Sequence, residues 1–108
     1  MALAALLIGG EAQGECRLAL VLGMDVSASV DAREYALMMN GTAAALRSPR
    51  VREAALSGAP VAMAAFVWAG AREQAVVARW ALIDSPEALE RFAATVAAFP
   101  RPAGDPMG

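Results

Sequence analysis

From Arg17 to Asp25 the chain reads RLALVLGMD, an apolar run of strand length with no polar alternation that stops abruptly at a carboxylate. A strand apolar at nearly every position calls for cover on both faces, and such strands belong to parallel sheets inside α/β domains. A few residues on, the period changes. DARE, Asp31 to Glu34, offers Asp31 as an N-cap with Glu34 three positions later, and Tyr35, Met38, Met39, Thr42 and Leu46 then recur at helical spacing. A buried strand thus runs almost directly into an amphipathic helix, and the turn between them carries Ser27 and Ser29.

The remaining elements follow from similar signals. Ser48-Pro49 opens a second helical segment through Leu56, because Ser caps and Pro suits the first helical position. SGAP, Ser57 to Pro60, ends it. Val61 to Trp68 reads as a second buried strand, Ala69 to Glu73 as a turn, and Gln74 to Ile83 as a third strand with partial alternation. Asp84-Ser85-Pro86 precedes the last helix, with Asp84 read as its cap-box residue and with Leu89, Phe92, Ala93 and Val96 on one face. From Pro100 the chain is a Pro/Gly loop. The order β-α-α-β-β-α predicts an α/β fold: a doubly wound, mostly parallel sheet with helices on both faces. Such sheets usually have five or six strands, so the domain reads as truncated after about three, with a hydrophobic strand edge left uncovered.

Composition narrows the chemistry. The 108 residues, 58 % of them apolar, suit one globular domain, and the nine basic residues are all Arg, scattered along the chain, which predicts no nucleic-acid partner. His is absent and Cys16 is the one cysteine, which removes Ser-His-Asp and Cys-His catalysis, HExxH sites and thiolate zinc sites. Any chemistry must run on oxygen.

Residues 1–14 read as the remnant of a secretory signal: Ala2 to Ile8 are apolar but far short of the roughly 20 residues that span a bilayer, and Ala12 and Gly14 are spaced like a signal-peptidase site. A basic leading region is missing, and the alternative is an N-terminal strand or a frayed apolar end. The signal reading predicts a periplasmic or secreted protein with no membrane span after cleavage, and places residues 15–108 in the domain. Glu15 before Cys16 argues against a lipid-anchored cysteine.

Asp25, Ser27 and Ser29 form a DxSxS pattern at the carboxyl end of a strand, where open α/β sheets bind their ligands. A curled loop at this spacing can turn one carboxylate and two hydroxyls toward a common point. That hard-oxygen set suits Mg²⁺, with Ca²⁺ or Mn²⁺ as substitutes, and leaves positions for water and an outside ligand. LVLGMDVSASV followed by an amphipathic helix resembles the first strand and metal-ion-dependent adhesion site of von Willebrand factor A domains. More narrowly, that region together with FVWAGAREQ and WALIDSPEAL resembles an uncharacterised, exported bacterial subfamily of that fold.

The resemblance covers about Cys16 onward, the N-terminal half of such a domain. It implies a six-strand, Rossmann-like sheet in the order 3-2-1-4-5-6, a divalent ion held by three loops, and a protein partner whose Asp or Glu completes the coordination. The family's second loop supplies a Thr; here the matching stretch is PAGDPMG, with Asp105 as the candidate in its place, and the third-loop Asp lies outside these residues. If Asp105 joins Asp25, the local charge falls toward zero, which favours metal retention and weakens the pull on an outside anion. In this truncated form the metal is expected to bind weakly or not at all.

Competing readings exist for each residue. Ser27 and Ser29 could cap the following helix, although capping has no use for Asp25. Asp105 could be a turn residue between its Gly and Pro neighbours. Trp68 and Trp80 could serve packing or binding. A strand ending in Asp also opens phosphohydrolases with an Asp nucleophile, but their general acid two residues on would be Ser27, which cannot act as one. The expectation is therefore a binding module and not an enzyme, with a metal-free structural or interaction domain as the alternative.

Overall fold

In a computed structural model of the chain, residues 16–27, 29–69 and 73–102 are described. The unalternating run forms β1 (Leu18–Asp25), which pairs in parallel with β2 (Val61–Trp68) from Leu18↔Val61 to Asp25↔Trp68. β3 (Gln74–Ile83) returns antiparallel to β2, with register irregularities on either side of Ala65, so the sheet order is β1-β2-β3. The crossover from β1 to β2 contains α1 (Ala32–Leu46) and α2 (Pro49–Leu56), and α3 (Pro86–Ala98) follows β3.

Each helix starts where local chemistry satisfies its free N–H groups. Asp31 accepts from the Glu34 N–H at 2.8 Å while the Glu34 carboxylate accepts from the Asp31 N–H at 3.0 Å, a complete capping box. Ser48 caps α2 and Ser85 caps α3. Asp84 is therefore not the cap of α3: Pro86 occupies the first helical position, which assigns the cap to the residue immediately before it.

The core is a single cluster between the sheet and one helical layer. Val61, Met63, Ala65 and Val67, alternate residues of β2, pack with Tyr35, Met39, Ala43 and Leu46 of α1 and with Leu89, Phe92, Ala93 and Val96 of α3. Met24 and Val26 continue this cluster at the carboxyl end of β1. On the opposite face Phe66 closes over Gly23, its register partner: a Cβ there would meet the Phe66 ring at 2.9 Å, so the ring lies this close only over glycine and would have to shift for any larger residue. Val76 and Trp80 of β3 stand 62 % and 58 % exposed on that side.

The described residues form a small mixed α/β unit that differs from the expected whole sheet in three respects. Among the described residues the helices cover one face of the sheet and not both. The sheet has one parallel and one antiparallel pair, so "mostly parallel" does not describe it. Among the described residues β1 lies at the edge of the sheet, with Leu18, Leu20 and Val21 exposed and Met24 its one buried side chain. The physical reason is common to all three: an apolar run records what a strand can bury, whereas its cover depends on which aliphatic helix faces reach it, and α1 and α3 converge over β2, β3 and the end of β1.

Phe92 is 3 % exposed at the centre of the α3 face. Phe92→Ala is expected to destabilise the fold by about 3–5 kcal/mol, read as a lowered denaturation midpoint at unchanged slope. At the surface, Arg47 Nε and Nη2 donate to the two carboxylate oxygens of Glu90 at 2.8 and 2.7 Å, and this bidentate contact holds the Glu90 carboxyl below its ordinary pKa. A carboxyl lowered on folding contributes stability above the ordinary carboxylate range and loses it as pH falls through its folded value. Wild type is thus expected to exceed Glu90→Gln slightly in stability at neutral pH, with the difference vanishing in acid; chemical denaturation across pH measures it.

Candidate metal centre

The parallel ladder continues one residue past β1, where the Val26 N–H donates to the Trp68 carbonyl at 2.8 Å. The chain then turns. The Ser27 N–H donates to Asp25 Oδ1 at 3.0 Å, and the Val30 N–H donates to the Ser27 carbonyl at 2.9 Å. This curl sets Ser27 Oγ and Ser29 Oγ 3.4 Å apart. The three expected residues therefore share one turn: the Asp25 carboxylate is tied to the backbone of Ser27, whose hydroxyl meets that of Ser29. Neither serine caps α1, because Asp31 does so. The capping alternative for these hydroxyls is excluded.

Two hydroxyl oxygens at 3.4 Å can be tested against ion size. Ligands at right angles lie about 2.9 Å apart around Mg²⁺ and about 3.3–3.7 Å apart around Ca²⁺, from their usual metal–oxygen distances. The observed separation fits Ca²⁺ as it stands and fits Mg²⁺ after a contraction of about half an ångström. Asp25 Oδ1 accepts a backbone N–H, and each carboxylate oxygen keeps lone pairs with which it can ligate. Asp25 and Ser29 are exposed and Ser27 is half-buried, so water can fill the remaining positions. Among the described residues no group of three His, Cys, Asp or Glu side chains could hold a metal; a site here rests on one carboxylate and two hydroxyls. Asp105 lies outside the described residues.

The segment after α3 reaches this turn. The Tyr35 hydroxyl donates to the Phe99 carbonyl at 3.0 Å, and Arg101 Nη2 donates to the Val30 carbonyl at 2.6 Å. Arg101 Nε is buried without a partner among the described residues. Burial raises the Tyr35 phenol above its ordinary pKa, and the nearby Arg101 charge works against that rise. A fixed positive charge thus stands behind the turn that carries Asp25. Sequence reasoning missed Arg101, since a lone Arg in a Pro-rich loop has no periodic signal, and it read Tyr35 only as a helix-face residue.

Trp68, the register partner of Asp25, is 39 % exposed at the rim of the turn. Trp80 belongs to an open groove of about 550 Å³ on the helix-free face, lined with Phe66 and Val76. Neither indole is part of the helix-side core. Cys16 is a free, exposed thiol among the described residues.

Residues 15–107 match the family described as Protein of unknown function (DUF1194). Comparison with the curated proteins and with the solved structures gives no match.

Arg101→Met removes a hydrogen bond from a charged donor, a class worth about 1.5–3 kcal/mol, and with it the tie between the segment after α3 and the turn. Amide exchange at Val30, whose N–H closes the turn onto Ser27, is expected to speed up by about tenfold or more, with little change in the core strands, as read by hydrogen-exchange NMR.

Proposed function

The chain belongs to the family described as Protein of unknown function (DUF1194), and on that premise we propose that it is an exported, metal-ion-dependent protein-binding module of von Willebrand factor A type. One observation carries the reading. Asp31 takes over the capping of α1, which leaves Ser27 and Ser29 free to lie 3.4 Å apart beside the backbone-anchored carboxylate of Asp25. A turn built only to join a strand to a helix needs none of the three. The sheet order β1-β2-β3 also agrees with the 3-2-1 portion of the order 3-2-1-4-5-6 that the resemblance implies.

In this reading Asp25, Ser27 and Ser29 hold Mg²⁺ or Ca²⁺, and the bound ion supplies an electrophilic point for a carboxylate from a partner protein. The chain's own contribution is to fix the oxygens. Asp25 stays oriented by the Ser27 N–H, and the serines are held by the turn that the Val30 N–H closes. One carboxylate leaves a divalent ion with net positive charge, which favours an anionic partner; Asp105, if it joined, would reduce that preference. Export follows from the pattern in residues 1–14, and no helix among the described residues is long and apolar enough to cross a membrane.

The helix-free face, with Trp80 and Val76 exposed, favours a second reading as a metal-free interaction domain. Calorimetric titration separates the two. A full-length domain that supplies the later loops is expected to bind Ca²⁺ or Mg²⁺ with measurable heat, whereas its Asp25→Ala variant shows none; equal heats from both proteins would overturn the metal reading. Capture of a partner that survives chelation would favour the metal-free domain.

A further inference from the structure

We infer that Arg101, which supplies no ligand, is a positioning residue for the ion site: by holding the Val30 carbonyl it straps residues 99–102 to the turn of Asp25, Ser27 and Ser29, so that strap docking and ion binding strengthen each other. This role rests on the metal reading above. The turn is fixed at its entry by Val26, fully buried and bonded through its N–H to the Trp68 carbonyl. It is fixed at its exit by the capping box of Asp31. Ser27 and Ser29 lie between those two points, and Val30 joins them to the exit.

Both backbone polar groups of Val30 are engaged. Its N–H donates to the Ser27 carbonyl at 2.9 Å, which closes the turn, and its carbonyl accepts from Arg101 Nη2 at 2.6 Å. The first bond sets Ser27 relative to Ser29; the second keeps the peptide between Val30 and Asp31 from rotating and so preserves the first. Arg101 and Val30 are half-buried, where a bond from a charged donor is stronger than one in water.

The strap has a second tie. From the start of α1 the Tyr35 hydroxyl donates to the Phe99 carbonyl at 3.0 Å. Val30 precedes α1 and Tyr35 lies within it, so the two ties hold the strap on both sides of the junction between turn and helix. Pro100 and Pro102 flank Arg101, and their fixed φ stiffens the strap and lowers the entropy lost when it docks. Both ties end on backbone carbonyls, which leaves the side-chain oxygens of Asp25, Ser27 and Ser29 available.

An ion requires those oxygens at one point. A turn already closed meets that requirement, whereas an open one must first be ordered, which lowers affinity. By linkage the ion then favours the docked strap by the same factor by which the strap favours the ion. The positive charge of Arg101 acts in the opposite direction, by repelling a cation. The sign of its effect on affinity therefore distinguishes holding the turn from repelling the ion.

Calorimetric titration of Ca²⁺, and of Mg²⁺ in parallel, into the full-length domain that supplies the later loops tests the role of Arg101, with amide exchange followed by NMR. Arg101→Met is expected to bind about tenfold more weakly than wild type, and Arg101→Lys, which keeps a charged donor for the Val30 carbonyl, to recover part of the loss. Tyr35→Phe keeps the buried ring and is expected to weaken binding about threefold, adding little on top of Arg101→Met because both changes release one strap. In wild type the ion is expected to slow exchange of the Phe99 amide, which donates to the Val96 carbonyl outside the turn; in Arg101→Met that exchange ignores the ion. A tie that only stabilised the fold would not make Phe99 respond to the ion. If Phe99 exchange ignores the ion in wild type, or if Arg101→Met binds as tightly as wild type or more so, the role of Arg101 is overturned while the metal reading stands. No heat with either ion from wild type and Asp25→Ala alike would overturn both.

Discussion

Everything positioned in this molecule depends on the parallel ladder between β1 and β2. Parallel neighbours cannot be joined by a hairpin; the chain must leave the carboxyl end of β1 and return to the amino end of β2, and helices fill that crossover. Because the ladder runs in register from Leu18↔Val61 to Asp25↔Trp68, both strands end together. Asp25 and Trp68 therefore share one rim, and the turn that departs from it is where polar side chains can gather without entering the core.

The division of labour within that turn is set by the capping box. The N–H groups at the start of α1 need acceptors, and a carboxylate at Asp31 with Glu34 as its reciprocal partner satisfies them locally. Had a serine been recruited as cap, the hydroxyl pair at 3.4 Å would not exist in this arrangement. Stabilising the helix and furnishing oxygens thus fall to separate residues only a few positions apart. Arg101 adds a constraint from far along the chain: its bond to the Val30 carbonyl ties the segment after α3 to the same turn.

The sheet is asymmetric in cover, and this shapes how the molecule meets others. One face buries its aliphatic residues beneath α1 and α3, while the other leaves Val76 and Trp80 in solvent and uses Phe66 to shield the backbone at Gly23. Among the described residues β1 lies at the edge of the sheet, with Leu18, Leu20 and Val21 exposed.

Local elements were legible from the sequence because their causes are local. The apolar runs marked β1, β2 and β3; Asp31 with Glu34, and Ser48 with Pro49, marked the helix starts; and Asp25, Ser27 and Ser29 stood out because polar residues follow a buried-type strand at alternate positions. Asp84 was misread as a cap because Asp and Ser are both good caps, and Pro86 decides between them only once it is known to be the first helical residue. The tertiary structure alone decided which faces and edges are covered, that Asp31 leaves the two serines free, and that Arg101 and Tyr35 fasten the far end of the chain to the turn. Sequence period reports how a segment can fold on itself, whereas cover, edge position and contacts across more than sixty residues arise only when separate elements meet in space.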